Sequence, residues 1–200
     1  MNVYPESLKL LIEYFKKLPG VGEKTAERYA LSIINLDEED IGDFSESLKN
    51  AKSNLRNCSV CGHLTESEIC PICSDSTRNQ NLICVVEDYK SVFMFEKTGK
   101  YSGVYHVLGG LISPIDGVNP DDLNIKGLIN RCKNIKEGEL ILALKPTIEG
   151  DTTTLYIKKI LESTDIKITR LSNGIPMGAD IDYIDILTLE RALYDRKEVS

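Results

Sequence analysis

Six cysteines occur in this chain, and four of them crowd into one short polar stretch as Cys58-x2-Cys61-x8-Cys70-x2-Cys73. Two CxxC pairs supply four thiolates, and a tetrahedral set of sulfurs is what zinc favours. Each pair forms a tight knuckle that sets two sulfurs on one ion. Gly62, directly after Cys61, permits the turn that aims backbone amides at the sulfurs. Four protein ligands leave no open position, so one structural, non-catalytic Zn2+ per chain is expected. Free or disulfide-linked cysteines and an iron–sulfur cluster are the alternatives. His63 reads as a surface residue, since four thiolates already complete the set. Cys84 and Cys132 sit in apolar surroundings and read as small buried hydrophobes.

A second candidate lies at Leu18-Pro19-Gly20-Val21-Gly22. Helical periodicity precedes it at Leu8, Leu11, Ile12 and Phe15 and resumes after it at Ala26, Tyr29, Ala30 and Ile33. The glycines let the chain turn sharply, and the second helix starts with free amides that suit a phosphate. Lys24 and Arg28 are four apart, share a helical face, and can flank a nucleic-acid backbone. The motif resembles a helix-hairpin-helix, which binds DNA without reading sequence. A helix corner used only for packing is the alternative. Glu23 and Glu27 lie on or beside the same surface, so binding is expected to be modest and salt-sensitive.

A third candidate is acidic. Val85-Val86-Glu87-Asp88 places two acids where an apolar strand ends, which is where α/β folds put their sites. A glutamate after one strand and paired aspartates after another form the Toprim pattern, which holds Mg2+. Here the position of the paired aspartates reads Lys145-Pro146-Thr147. A lysine repels a metal and supplies no ligand. Glu149 and Asp151 lie later in the chain. A non-catalytic Toprim-type fold is expected, with a solvated acidic edge as the plain alternative.

The elements that must position these residues are legible in outline. Residues 1–56 read as helices, with an acidic loop from Asp37 to Asp40 and a third stripe through Phe44, Leu48, Ala51 and Leu55. This segment is too small for a large core and is expected to lean on a neighbour. Residues 57–79 have little to bury and need a metal. From residue 80, strands at Leu82–Val86, Gly103–Leu108, Glu139–Leu144 and Ile166–Leu171 alternate with helices at Ser91–Lys97, Leu123–Asn134 and Thr152–Glu162. That alternation predicts an α/β unit with a largely parallel sheet. An amphipathic helix from Ile186 to about Lys197 closes the chain. The fold class is therefore α+β and multi-module, divided at 1–56, 57–79, 80–172 and 173–200.

The net charge of -7 excludes a protein that coats DNA generally, so any contact must be local or multiplied by oligomerisation. It also counts against a zinc-dependent transcription factor, as does the lack of an arginine-rich recognition helix. No run approaches the roughly 18–20 apolar residues that span a bilayer. The N-terminus lacks a basic-then-apolar leader, which makes the cytoplasm the expected location.

Taken in order, these modules resemble the RecR family of bacterial recombination mediators. The matching segments are Leu18-Pro19-Gly20-Val21-Gly22, the cysteine quartet, Tyr105-His106-Val107-Leu108-Gly109-Gly110, Ser113-Pro114-Ile115-Asp116-Gly117-Val118, Lys145-Pro146-Thr147-Ile148-Glu149-Gly150 and Asn173-Gly174-Ile175-Pro176-Met177-Gly178. The chain departs from the family at Asp88-Tyr89-Lys90-Ser91, where one acid is missing. It departs again at Gly178-Ala179-Asp180-Ile181-Asp182-Tyr183. The resemblance implies a non-enzymatic protein whose dimers join into a tetrameric ring that can encircle DNA. It implies RecO and RecF as partners in loading RecA onto single strands. Because Lys145 stands where paired acids would hold a metal, Glu87, Asp88 and neighbouring acids are expected to form an acidic face for a basic partner, RecO foremost. The family's Walker-B-like segment maps loosely to Ile184–Leu189. No Walker A loop accompanies it, so ATP hydrolysis is not expected. A metal-dependent nuclease or primase on the Toprim core is the competing class.

Overall fold

A computed structural model describes residues 4–135, 137–172 and 174–196. The chain divides into two compact units, one ending at Leu55 and one starting at Arg56.

The first unit holds α1 (Glu6–Lys16), α2 (Glu23–Ile34) and α3 (Glu38–Asn54). Leu8 and Ile12 of α1 meet Ala26 and Ala30 of α2, with Phe15 and Val21 packed at the side. The two alanines let the helix backbones approach closely, which compensates for the small size of the core. The expected acidic loop is instead the start of α3. Asp37 caps it by accepting the Asp40 N–H at 2.9 Å, and Glu38, Glu39 and Asp40 form its first turn. Carboxylates are favoured at that positive helix end. No residue of α3 is buried, and Phe44, Leu48 and Leu55 stay exposed.

The second unit begins with a small antiparallel pair, β1 (Arg56–Asn57) and β2 (Leu64–Thr65), and a one-turn helix, α4 (Pro71–Ser74). A four-stranded parallel sheet follows in the order β4 (Gly103–Val107), β3 (Asn79–Val86), β5 (Gly138–Ala143), β6 (Ile166–Arg170). Alternation along β3 divides the core between two faces. Ile83 and Val85 pack with Leu128 of α6 (Ile125–Cys132) and Ile157 of α7 (Ile148–Ile160). Cys84 and Val86 pack with Tyr105, Val107 and Val92 of α5 (Tyr89–Lys97). Cys84 and Cys132 are buried, and burial pushes both thiols up, Cys84 to about 12.

Three helix starts in this unit differ from the sequence expectation; α6 begins at Ile125, two residues later than expected. Asp88 caps α5 two residues earlier than expected. Thr147 caps α7 by accepting the Gly150 N–H at 3.3 Å, so α7 begins at Ile148 and carries Glu149 and Asp151 in its first turn. The last helix, α8 (Ile186–Tyr194), is capped by Asp185 and buries no residue. Its expected end near Lys197, and Asn173 of the tail motif, lie outside the described residues. No described helix is long and apolar enough to cross a membrane.

Candidate functional site

The four sulfurs of Cys58, Cys61, Cys70 and Cys73 lie within 4.8 Å of one another. Among the described residues they are the one group of three or more His, Cys, Asp or Glu placed to share an ion. Backbone amides turn toward the sulfurs: His63 N–H donates to Cys61 Sγ at 3.4 Å, Cys70 N–H to Cys58 Sγ at 3.3 Å, and Cys73 N–H to Cys70 Sγ at 3.4 Å. Such donors stabilise thiolates. Hydrogen bonds from Cys61 and then Cys73 hold the Cys70 thiol far below its ordinary value, while the bond to Cys70 drives Cys61 up. Zinc binds cysteine as the thiolate, so an ion among the four sulfurs would favour their ionisation together. The donor set, its closeness and its amides fit a structural zinc ion.

His63 is not a surface residue. It is buried and stands edge-on to Phe93 at 4.8 Å between ring centroids, with no hydrogen-bond partner for Nδ1 among the described residues. Burial lowers its basicity. Phe93 lies thirty positions on (93 − 63), so local polarity around His63 gives no hint of this packing.

The finger is seated on the sheet rather than appended to it. Val107 N–H, at the end of β4, donates to the Cys61 carbonyl at 2.7 Å. Gly62 has φ +76°, and a Cβ there would stand 3.1 Å from the Val107 carbonyl oxygen. Ile72 of α4 packs against the cysteine cluster and both sheet faces. Beside it, Arg78 forks onto Glu96 and also donates to the Gly103 carbonyl at 3.0 Å. Tyr105 Oη donates to Glu96 Oε1 at 2.7 Å. Burial opposes ionisation of Glu96, but the Arg78 and Tyr105 hydrogen bonds prevail and hold its carboxyl below the usual range. No local motif signals this three-residue network, because its members come from separate elements.

In the first unit the Leu18–Gly22 turn is tight. Val21 N–H donates to the Leu18 carbonyl at 3.1 Å, and Gly20 takes φ +77°, a region that favours glycine. Gly22 provides no side-chain cap for α2, so the first amides of that helix keep their donors unpaired within it. Lys24 and Arg28 are both exposed on α2. The ion pairs of this unit among the described residues engage Lys9 and Lys16 instead. Lys16 bonds Glu23 at 2.7 Å and Glu13 at 2.9 Å, and the two carboxylates, Glu23 foremost, raise its pKa well above the usual lysine range. Glu23, one of the two acids that weaken this surface in the sequence, is thus countered by a lysine from the preceding helix.

At the sheet's C-terminal edge the two acids have different surroundings. Asp88 Oδ1 accepts from the amides of Lys90 at 2.9 Å and Ser91 at 3.1 Å, so one of its oxygens serves the helix. An aspartate just before a helix is an ordinary capping signal that the sequence already carries. Glu87 Oε1 lies 3.0 Å from Lys145 Nζ. Hydrogen bonding to Glu87 raises the Lys145 pKa. Asp151 turns to Arg191 at 3.3 Å and Arg170 at 3.7 Å. Among the described residues these carboxylates do not form a group placed to share an ion.

Four family models match the chain in succession. The RecR helix-hairpin-helix covers residues 8–52, the RecR four-cysteine zinc finger domain 55–75, a Toprim domain 81–172, and the RecR C-terminal model 174–197. Three models specific to one family, in order around a Toprim domain, leave one assignment: this chain belongs to the RecR family, whose domain set supports a role as a recombination mediator.

Proposed function

We propose that this protein carries no reaction of its own and acts as a DNA-binding scaffold that helps load RecA onto single strands, together with RecO and RecF. The observation that carries the non-catalytic reading is the ion pair of Glu87 with Lys145, where a Toprim enzyme would gather carboxylates around a metal. DNA is held through the Leu18–Gly22 turn, with Lys24 and Arg28 on the phosphate backbone and little reading of bases. Glu87, with Asp88 beside it, faces a basic partner, RecO. One shallow patch with two cations is weak alone, so ring assembly of several copies supplies the affinity. The exposed apolar stripe of α3, through Phe44 and Leu48, supports association between copies, first into dimers and then a tetramer.

Replacing Lys24 and Arg28 together by Ala tests the DNA contact. Affinity should fall alike for unrelated sequences, and the slope of log K against log salt should shrink by about 2 per engaged chain. Unchanged binding assigns the turn to packing. Incubation of labelled DNA with Mg2+ or Mn2+ separates this reading from a nuclease or primase. Cleavage or primer synthesis that depends on Glu87 would overturn it.

A further inference from the structure

Parallel pairing of β3 with β5 sets Val86 beside Ala143. The chain then leaves both strands at the same edge of the sheet. Glu87 is the first residue past β3, and Lys145 is two past β5. Register therefore brings together two side chains that are far apart in sequence. Their partnership is lopsided. The Glu87 side chain is 20% exposed, with its backbone carbonyl pinned by the Gly109 N–H at 2.9 Å. The Lys145 side chain is 64% exposed and reaches Glu87 on a flexible four-carbon stem. Glu87 is thus the more enclosed charge, and Lys145 a solvent-exposed one laid over it. Asp88, the neighbouring acid, already spends one oxygen on the cap of α5.

We propose that Lys145 is an internal competitor for Glu87, masking the carboxylate until an arginine from a basic partner displaces it. The pair then sets both the affinity and the arginine preference of this surface. The inference rests on the reading of Glu87 as a partner contact. Its physical basis is geometry. Lys145 bonds only Oε1, and a partner lysine arriving there exchanges one point charge for another with no gain. A guanidinium brings a planar fork that takes both carboxylate oxygens, which an ammonium does not match. The lysine also repels basic surfaces that lack such a fork, so it selects as well as masks. Displacing it costs little because the pair is exposed to water and salt.

The test titrates purified RecO into the full-length protein and its variants, after equal melting temperature and zinc content have been verified. Lys145→Met removes the competitor and should tighten binding by about two- to fivefold, the scale of an exposed ion pair. Lys145→Gln should act in the same direction. Lys145→Arg keeps the net charge but offers Glu87 an internal fork, and should weaken binding. Glu87→Gln should weaken binding and abolish the gain from Lys145→Met in the double variant. Wild-type binding by Glu87→Gln would overturn the partner-face reading, and this inference with it. Weaker binding by Glu87→Gln with no gain from Lys145→Met would overturn the masking alone. So would a Lys145→Met gain that persists at full size in the Glu87→Gln background, or Lys145→Arg binding no weaker than wild type.

Discussion

Seating of the zinc finger on the Toprim sheet can be measured through one glycine. Gly62 has φ +76°, and an added Cβ would lie 3.1 Å from the Val107 carbonyl oxygen and 3.3 Å from Asn124 Nδ2. Neither neighbour yields easily. The Val107 oxygen belongs to the backbone at the end of β4 and accepts from Asn124 Nδ2 at 3.3 Å, while the Asn124 N–H is bonded to the Leu108 carbonyl at 2.9 Å. Gly62→Ala therefore meets two costs. The left-handed backbone costs about 1–2 kcal/mol for a residue with a Cβ. Crowding of a backbone oxygen adds about 1 kcal/mol, the low end of overpacking. Reduced freedom of the unfolded chain offsets about 0.4–1 kcal/mol. The net loss is about 1–2.6 kcal/mol, which for a unit of this size lowers Tm by about 2–10 °C.

Gly117→Ala is the matched control. Gly117 has φ +74° but nothing within 4 Å of an added Cβ, so it carries the backbone cost without the collision. Scanning calorimetry with zinc present, and elemental analysis showing about one zinc per chain, would read both variants. A larger loss at Gly62 than at Gly117 is expected. Equal losses would refute the seating of the finger on β4.

Two further outcomes follow from the same unit. Burial depresses His106 to about 4, with the Asn124 carbonyl opposing and Arg131 assisting, so the native state stays neutral while the unfolded chain protonates near 6.5. Its stabilising contribution is complete above that unfolded value and is lost as pH falls toward 4; at pH 5 the loss is about 2 kcal/mol. Urea midpoints of His106→Gln should depend less on pH than wild type between 7.5 and 5 (a window of about one unit or more around the unfolded value), and parallel curves would refute this. Tyr105→Phe removes the 2.7 Å bond to Glu96 and should cost about 1 kcal/mol, below the buried maximum because water reaches Glu96. A wild-type urea midpoint would show that the bond contributes nothing.

What was legible in the sequence was local. The cysteine quartet announced its metal because four soft ligands in a polar stretch have few other uses, and the structure brings their sulfurs together. β3 was legible because Ile83 to Val86 is an apolar run, β-branched apart from Cys84, buried on both faces. Helix starts are less legible: Asp37 and Thr147 are capping residues, yet the acids after them carry no apolar stripe to mark a helix. What stayed hidden depends on which strands become neighbours. Lys145 beside Glu87 requires β5 next to β3, and strand order is not written in any one segment. His63 against Phe93, and Arg78 with Glu96 and Tyr105, are hidden for the same reason.

Net charge says little about a protein of this kind; the distribution of unpaired charge says more. The chain is acidic by seven, which argues against contact with a polyanion. Yet several acids at the candidate sites are already committed. Glu23 is held by Lys16, Asp88 caps α5, Asp151 meets two arginines, and Glu96 is locked to Arg78. A neutralised carboxylate contributes only a short-range dipole, and salt screens the remainder within about 8–10 Å. Lys24 and Arg28 are left exposed on α2, after the turn. At the sheet edge the polarity reverses. On the reading proposed above, the Glu87–Lys145 pair is near neutral, and displacing the lysine leaves a net negative charge there. On the proposed reading, an acidic chain presents cations to DNA from one unit and a latent anion to a basic protein from the other.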